Sequence, residues 1–118
     1  MKIFVCEDEK EIAEIIKTIL ENQNHEVKLD FGGNKILESI MSFTPNLIIL
    51  DYRLPNLDGE KLTKKLKADE KTKKIPVVII SASNYLEKVA IDSKADDYLS
   101  KPFNIENLLA IVTKYDSQ

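Results

Sequence analysis

Four consecutive apolar residues, Leu47-Ile48-Ile49-Leu50, run directly into Asp51, and the turn-forming Pro55 and Gly59 follow. An apolar run without polar interruption, closed by turn residues, fits a strand buried on both faces. Asp51 then stands at the strand's carboxyl end, where the chain leaves the core for water. In open α/β sheets that edge is where ligands bind. Asp51 is therefore read as a nucleophile, served by most of the other informative residues.

The rest of the chain alternates strand and helix. Lys2–Cys6 is a short apolar strand (β1) running into Glu7-Asp8-Glu9, so acid again follows a strand. Beyond Lys10, the residues Ile12, Ile15, Ile16, Ile19 and Leu20 recur at helical spacing and predict one apolar helix face. Asn22-Gln23-Asn24-His25 ends that helix. Glu26–Asp30 alternates polar and apolar, as in a half-exposed edge strand (β2). Gly32-Gly33-Asn34 turns into a second helix with Ile36, Leu37, Ile40 and Met41 on one face, stopped by Thr44-Pro45. The opening run, Leu47–Asp51, is β3. A third helix follows Gly59, with Leu62 and Leu66 inward and Asp58 as its N-cap. After a polar connection at Lys71–Lys74, Ile75–Ser81 reads as a buried strand (β4). Ala82-Ser83-Asn84 opens a fourth helix with Leu86, Val89 and Ala90 inward. Asp97–Ser100 is a short strand (β5), and a last helix carries Ile105, Leu108, Leu109 and Val112.

That alternation predicts an α/β domain: a parallel five-stranded sheet with helices on both faces. β1, β3 and β4 are continuously apolar and should be central, while β2 alternates and β5 is short, as edges are. The order 2-1-3-4-5 satisfies this, and it is the order of the flavodoxin-like, doubly wound (βα)5 class. It brings Glu7 and Asp8, Asp51, Ser81 and Lys101 to one rim. Three carboxylates there repel one another by roughly 4 kcal/mol per pair at about 4 Å, equivalent to about 3 pKa units. A hard divalent cation removes that conflict, and Mg²⁺ (or Mn²⁺) suits a site of few carboxylates, carbonyls and waters. Lys101 adds a positive charge from the other side.

Composition excludes several other roles. The 118 residues are one domain's worth, and 43% hydrophobic with 31% charged residues is ordinary for a globular protein. A net charge of −3 argues against direct nucleic-acid binding, which needs a basic surface. No apolar run is long enough for a membrane span, and no signal peptide is visible, so a cytoplasmic location is expected. The single cysteine, Cys6, reads as a small core residue and cannot form an internal disulfide.

Four matching motifs make the chain resemble the receiver domain of bacterial two-component response regulators, including the single-domain chemotaxis regulators, over essentially its whole length. They are Glu7-Asp8 after β1; Asp51 with Leu54-Pro55 and Asp58-Gly59; Ser81 ending β4; and Ala95-Asp96-Asp97-Tyr98-Leu99-Ser100-Lys101-Pro102-Phe103. The resemblance implies that Asp51 takes a phosphoryl group from a phosphohistidine on a histidine kinase or histidine phosphotransfer protein. It implies Mg²⁺ held by Glu7, Asp8, Asp51 and the backbone carbonyl of Arg53. Ser81 would donate to the phosphoryl group, Tyr98 would turn inward as the switch, and Lys101-Pro102 would be a cis peptide. Arg53 and Ser83 stand where the family tunes phosphate lifetime. The output face would be the fourth helix, fifth strand and last helix, including Lys94, Asp96, Tyr98 and Leu108. One position departs from the pattern: Lys94 stands where the family places a glycine helix cap, and a lysine in left-handed geometry costs about 1 kcal/mol.

Other residues read more plainly. Asp58-Gly59 is a turn and cap, Asp30 and Asp97 face solvent, His25 is neither catalytic nor a phosphoacceptor, and the lysines from Lys61 to Lys74 form a solvated face. A haloacid-dehalogenase-like phosphohydrolase would want an acid two residues after the nucleophile, where Arg53 stands. A flavodoxin-like cofactor binder would need small hydroxyl residues after β1, where Glu7-Asp8-Glu9 would repel a phosphate. A receiver-like module that binds without phosphorylation would not need the full set of rim residues. The chain ends soon after the last helix, so residues 1–118 are expected to be a receiver alone. It would be either a stand-alone protein or a piece of a hybrid kinase or larger regulator.

Overall fold

β3 (Leu47–Asp51) and β4 (Val77–Ser81) are buried at every residue, and β1 (Lys2–Cys6) is buried from Ile3 onward. Strands with apolar side chains on both faces need cover on both, and helices supply it. The computed structural model describes residues 1–32, 35–54, 57–81 and 94–116. Its main sheet is parallel, with β2 (Glu26–Asp30) and β5 (Asp97–Ser100) at the edges, in the order β2-β1-β3-β4-β5. The expected order is the observed one.

Successive side chains of a strand point to opposite faces, and the core divides accordingly. On one face Phe4, Cys6, Ile48, Leu50, Val77 and Ile79 meet Ile36 and Ile40 of α2 (Ile36–Phe43) and Leu62 and Leu66 of α3 (Gly59–Ala68). On the other, Ile3, Val5, Leu47, Ile49, Val78 and Ile80 meet Ile16 and Leu20 of α1 (Lys10–Glu21) and Leu108 and Val112 of the C-terminal helix (Ile105–Asp116). Cys6 is fully buried, as a small core residue should be.

Helix ends follow local chemistry. Asp58 caps α3, its Oδ1 accepting from the Glu60 and Lys61 amides at 2.9 and 3.4 Å. Asn104 does the same for the C-terminal helix, accepting from the Asn107 amide at 2.7 Å. Thr44 closes α2 in left-handed geometry (φ 51°), its amide donating to the Ile40 carbonyl.

Some expectations shift. β4 begins at Val77 rather than Ile75. Ile15 is 58% exposed, because α1 buries the strip centred on Ile16, and Ile15 lies about 100° around the helix from it. Ile105 is exposed as well, at the first turn of its helix. Leu108 is buried in the core and so is not part of an output surface. A two-residue antiparallel ladder, Arg53–Leu54 against Leu57–Asp58, was not expected. The expected fourth helix with Ser83, Leu86, Val89 and Ala90 lies outside the described residues, as do Gly33, Asn34, Pro55 and Asn56.

Candidate functional site

The sheet register aligns the polar residues. Cys6 pairs with Leu50, so Glu7 and Asp51 leave the sheet side by side. Asp51 pairs with Ile80 and Ser81 with Ser100, so Ser81 and Lys101 reach the same carboxyl edge. Backbone bonds carry this order past the strand ends. The Glu7 amide donates to the Asp30 carbonyl, Tyr52 to Ile80, and Lys101 to Ser81, each at 3.0 Å.

The side chains converge there. The Lys101 Nζ donates to Glu7 Oε1 at 2.7 Å and to Asp51 Oδ2 at 3.1 Å. Glu7, Asp51 and Ser81 are buried while Asp8 is exposed, so the site opens to water on the Asp8 side. The other Glu7 oxygen accepts from the Glu9 amide at 3.2 Å. Burial pushes the Glu7 carboxyl up to about 7, against the pull of the Lys101 ammonium, and the Asp51 carboxylate beside it adds to the rise. Burial works against the Lys101 charge too, but the Glu7 hydrogen bond and the Asp51 charge outweigh it and raise the lysine above its ordinary value.

One carboxylate oxygen each from Glu7, Asp8 and Asp51 lies within 4.8 Å of the others. An all-oxygen group of that span fits a hard divalent cation. The Lys101–Pro102 peptide is cis, as the resemblance implied. Tyr98 is 38% exposed on β5. Arg53 lies in the short ladder just past Asp51. Lys94 does adopt left-handed geometry, at φ 68°.

Several contributions were not legible as a pattern. A Cβ on Gly59 would lie 2.8 Å from the Tyr52 carbonyl oxygen and 3.0 Å from its Cα, so only glycine lets α3 start against the residue after Asp51. Asp97 is only part-exposed. Lys114 Nζ and the Tyr115 hydroxyl both donate to its Oδ2. His25 pairs its Nδ1 with the N-terminal amine at 3.1 Å, a structural contact.

Comparison with known proteins agrees with this geometry. The family model for the response regulator receiver domain matches residues 3–113. The chain is 41% identical over 111 residues to response regulator ArlR of Staphylococcus saprophyticus, covering 92% of this chain and 49% of that protein. It thus spans about half the length of the curated relatives it matches. Among solved structures it is similar to the Francisella response regulator 1452 receiver domain, at 35% identity and TM-score 0.84, covering 97% of this chain and 94% of that one. It is also similar to a two-component response regulator from Clostridium difficile, at 29% identity and TM-score 0.90, covering 100% and 97%. No helix among the described residues is long and apolar enough to cross a membrane. The chain belongs to the response regulator receiver domain family of two-component systems.

Proposed function

We propose that Asp51 accepts a phosphoryl group from a phosphohistidine of a histidine kinase or histidine phosphotransfer protein. An Asp51 oxygen attacks phosphorus, the phosphorus–nitrogen bond breaks, and the imidazole leaves with the electron pair and takes up a proton. The observation that carries this reading is the Lys101 ammonium, held 3.1 Å from the Asp51 carboxylate at the open edge of a parallel sheet. Phosphoryl transfer needs positioning and charge neutralisation more than covalent help, and a fixed cation beside the acceptor supplies both.

Glu7, Asp8, Asp51 and the Arg53 carbonyl are the proposed holders of Mg²⁺ (or Mn²⁺), and the spacing of the three carboxylates supports that set. When bound, the metal neutralises charge on the phosphoryl oxygens. Lys101 orients the group from the opposite side. Ser81 would donate its hydroxyl to a phosphoryl oxygen, and Tyr98 would turn inward as Ser81 moves, changing the face that a downstream protein reads. Arg53 and Ser83 would set how long the phosphate lasts. The chemistry is the receiver's own modification rather than turnover of a free substrate. It applies equally to a receiver acting alone in the cytoplasm and to one within a longer regulator.

Incubation with acetyl phosphate and Mg²⁺ should add one phosphate, visible by intact mass and labile to base and hydroxylamine. Asp51→Asn should abolish it, and labelling that survives this substitution would overturn the assignment. Removing Mg²⁺ with a chelator should also prevent labelling.

A further inference from the structure

Two adjoining hollows, of about 320 and 500 Å³, lie between α2 and the segment from α3 to β4, and both are lined by Met41 and Thr72. Together they form one groove. Leu37 and Met41, one helical turn apart on α2, make one apolar wall, and Ala68 and Ile75 contribute to the other. The core uses only part of this wall, since Leu37 is half-buried against it. Ile36 and Ile40 bury α2 against the sheet, while Met41 remains 40% exposed. The hydroxyl of Thr72, on the groove floor, is satisfied by the Leu66 carbonyl at 2.7 Å, so it makes no demand on a ligand.

Charge is concentrated around this groove. From Asp58 to Lys74 there are seven lysines (61, 64, 65, 67, 71, 73 and 74) and four acids (58, 60, 69 and 70), a local excess of +3 on a chain of net −3. Lys64, Lys67 and Lys73 are paired with Glu60, Asp96 and Glu70. Asp58 and Asp69 turn their carboxylates to backbone amides. Lys65, Lys71 and Asp69 line the groove; the Lys71 amide donates to the Asp69 carboxylate, and no ion pair engages either lysine among the described residues.

We propose that this groove docks an acidic amphipathic helix of a partner protein. Its apolar side chains, at i, i+4 and i+7, would sit along Leu37 and Met41, and its carboxylates would meet Lys65 and Lys71. Apolar walls flanked by two lysines without ion-pair partners are the complement of that ligand. Nucleic acid fits it poorly, because among the described residues no arginine or aromatic ring lines the groove to stack on a base. Pro45 and Ile75, at one end, mark the amino-terminal edge of the sheet, opposite Asp51. Docking here is therefore independent of phosphoryl chemistry.

The test uses a fluorescent synthetic helix of roughly five turns, with leucine along one face and glutamate elsewhere. Two controls accompany it, one with lysine replacing glutamate and one with the leucines scrambled. Anisotropy should show the acidic amphipathic peptide binding at least about tenfold more tightly than either control, and several-fold more weakly at about 0.5 M than at 0.05 M salt. Met41→Glu should weaken binding by about tenfold or more, as loss of an anchor does. Lys65→Glu with Lys71→Glu should remove most of the salt dependence. Lys17→Glu, on α1 across the sheet, should leave peptide binding unchanged. Circular dichroism confirms folding of each variant. Equal binding of the scrambled peptide, or insensitivity to Met41→Glu, would overturn the proposal. So would tighter binding of duplex DNA than of the peptide, or Met41-dependent self-association without peptide binding.

Discussion

Gly59 shows how much one missing methyl can matter. The start of α3 approaches the backbone of Tyr52 so closely that a Cβ would meet its carbonyl oxygen at 2.8 Å, and the Gly59 amide donates to the same oxygen at 3.3 Å. The obstructing atoms are backbone and cannot rotate away. Tyr52 follows Asp51 directly, so any relief moves the neighbour of the proposed acceptor. Gly59→Ala is expected to destabilise the fold by about 1–3 kcal/mol, the usual cost of overpacking, read as a lower urea midpoint. Labelling by acetyl phosphate should slow as well. A variant with wild-type stability and rate would show that the chain absorbs the methyl elsewhere.

At the scale of elements, the turn into β5 carries a local cost that the surrounding contacts offset. Lys94 sits at φ 68°, where a side chain is disfavoured. Directly after it, the Asp96 amide donates to the Val77 carbonyl at 2.9 Å. The Asp96 carboxylate accepts from the Val77 amide and from Lys67 Nζ. Lys67 also donates to the Ile75 carbonyl at 2.8 Å. This clasp joins α3, β4 and β5 at the amino edge of the sheet. It fixes the chain path that demands a left-handed residue. Lys94→Gly should therefore raise stability by up to about 1 kcal/mol, measured by chemical denaturation. A loss of stability would mean that the lysine side chain contributes more than its backbone costs.

For the molecule as a whole, protonation and fold are linked through Glu7, and a cation held by the proposed carboxylate set would join that linkage. Its carboxyl titrates at about 7 in the folded protein against an ordinary 4.5, chiefly because it is buried. Between those values the native state binds more protons than the unfolded chain, so this group's contribution to stability declines as pH rises through the window. A bound cation works the other way, since it needs the deprotonated oxygen. The rise in Tm produced by Mg²⁺ should be larger at about pH 8 than at about pH 6. Glu7→Gln should flatten that difference. An identical Mg²⁺ shift at both pH values in the unsubstituted protein would exclude Glu7 as the group that couples them.

The strand order and the residues at its carboxyl edge could be read from the amino-acid pattern alone. Those signals are local: an unbroken apolar run marks a central strand, an alternating one an edge, and the residues just past each strand must reach the rim. Glu7, Asp8, Asp51, Ser81 and Lys101 were legible for that reason, and so was the Asp58 cap. Which parts of each apolar stripe are covered depends instead on how the elements pack. Period tells which residues share a face, not how wide a strip the neighbouring element conceals. Ile15 and Ile105 therefore fall outside the core, Leu108 falls inside it, and Leu37 and Met41 are left lining a groove. The burial of Glu7, its hydrogen bond with Lys101, and the contact of Gly59 with Tyr52 belong to the same class. Each depends on how closely separate elements pack, and no single element's pattern encodes that distance.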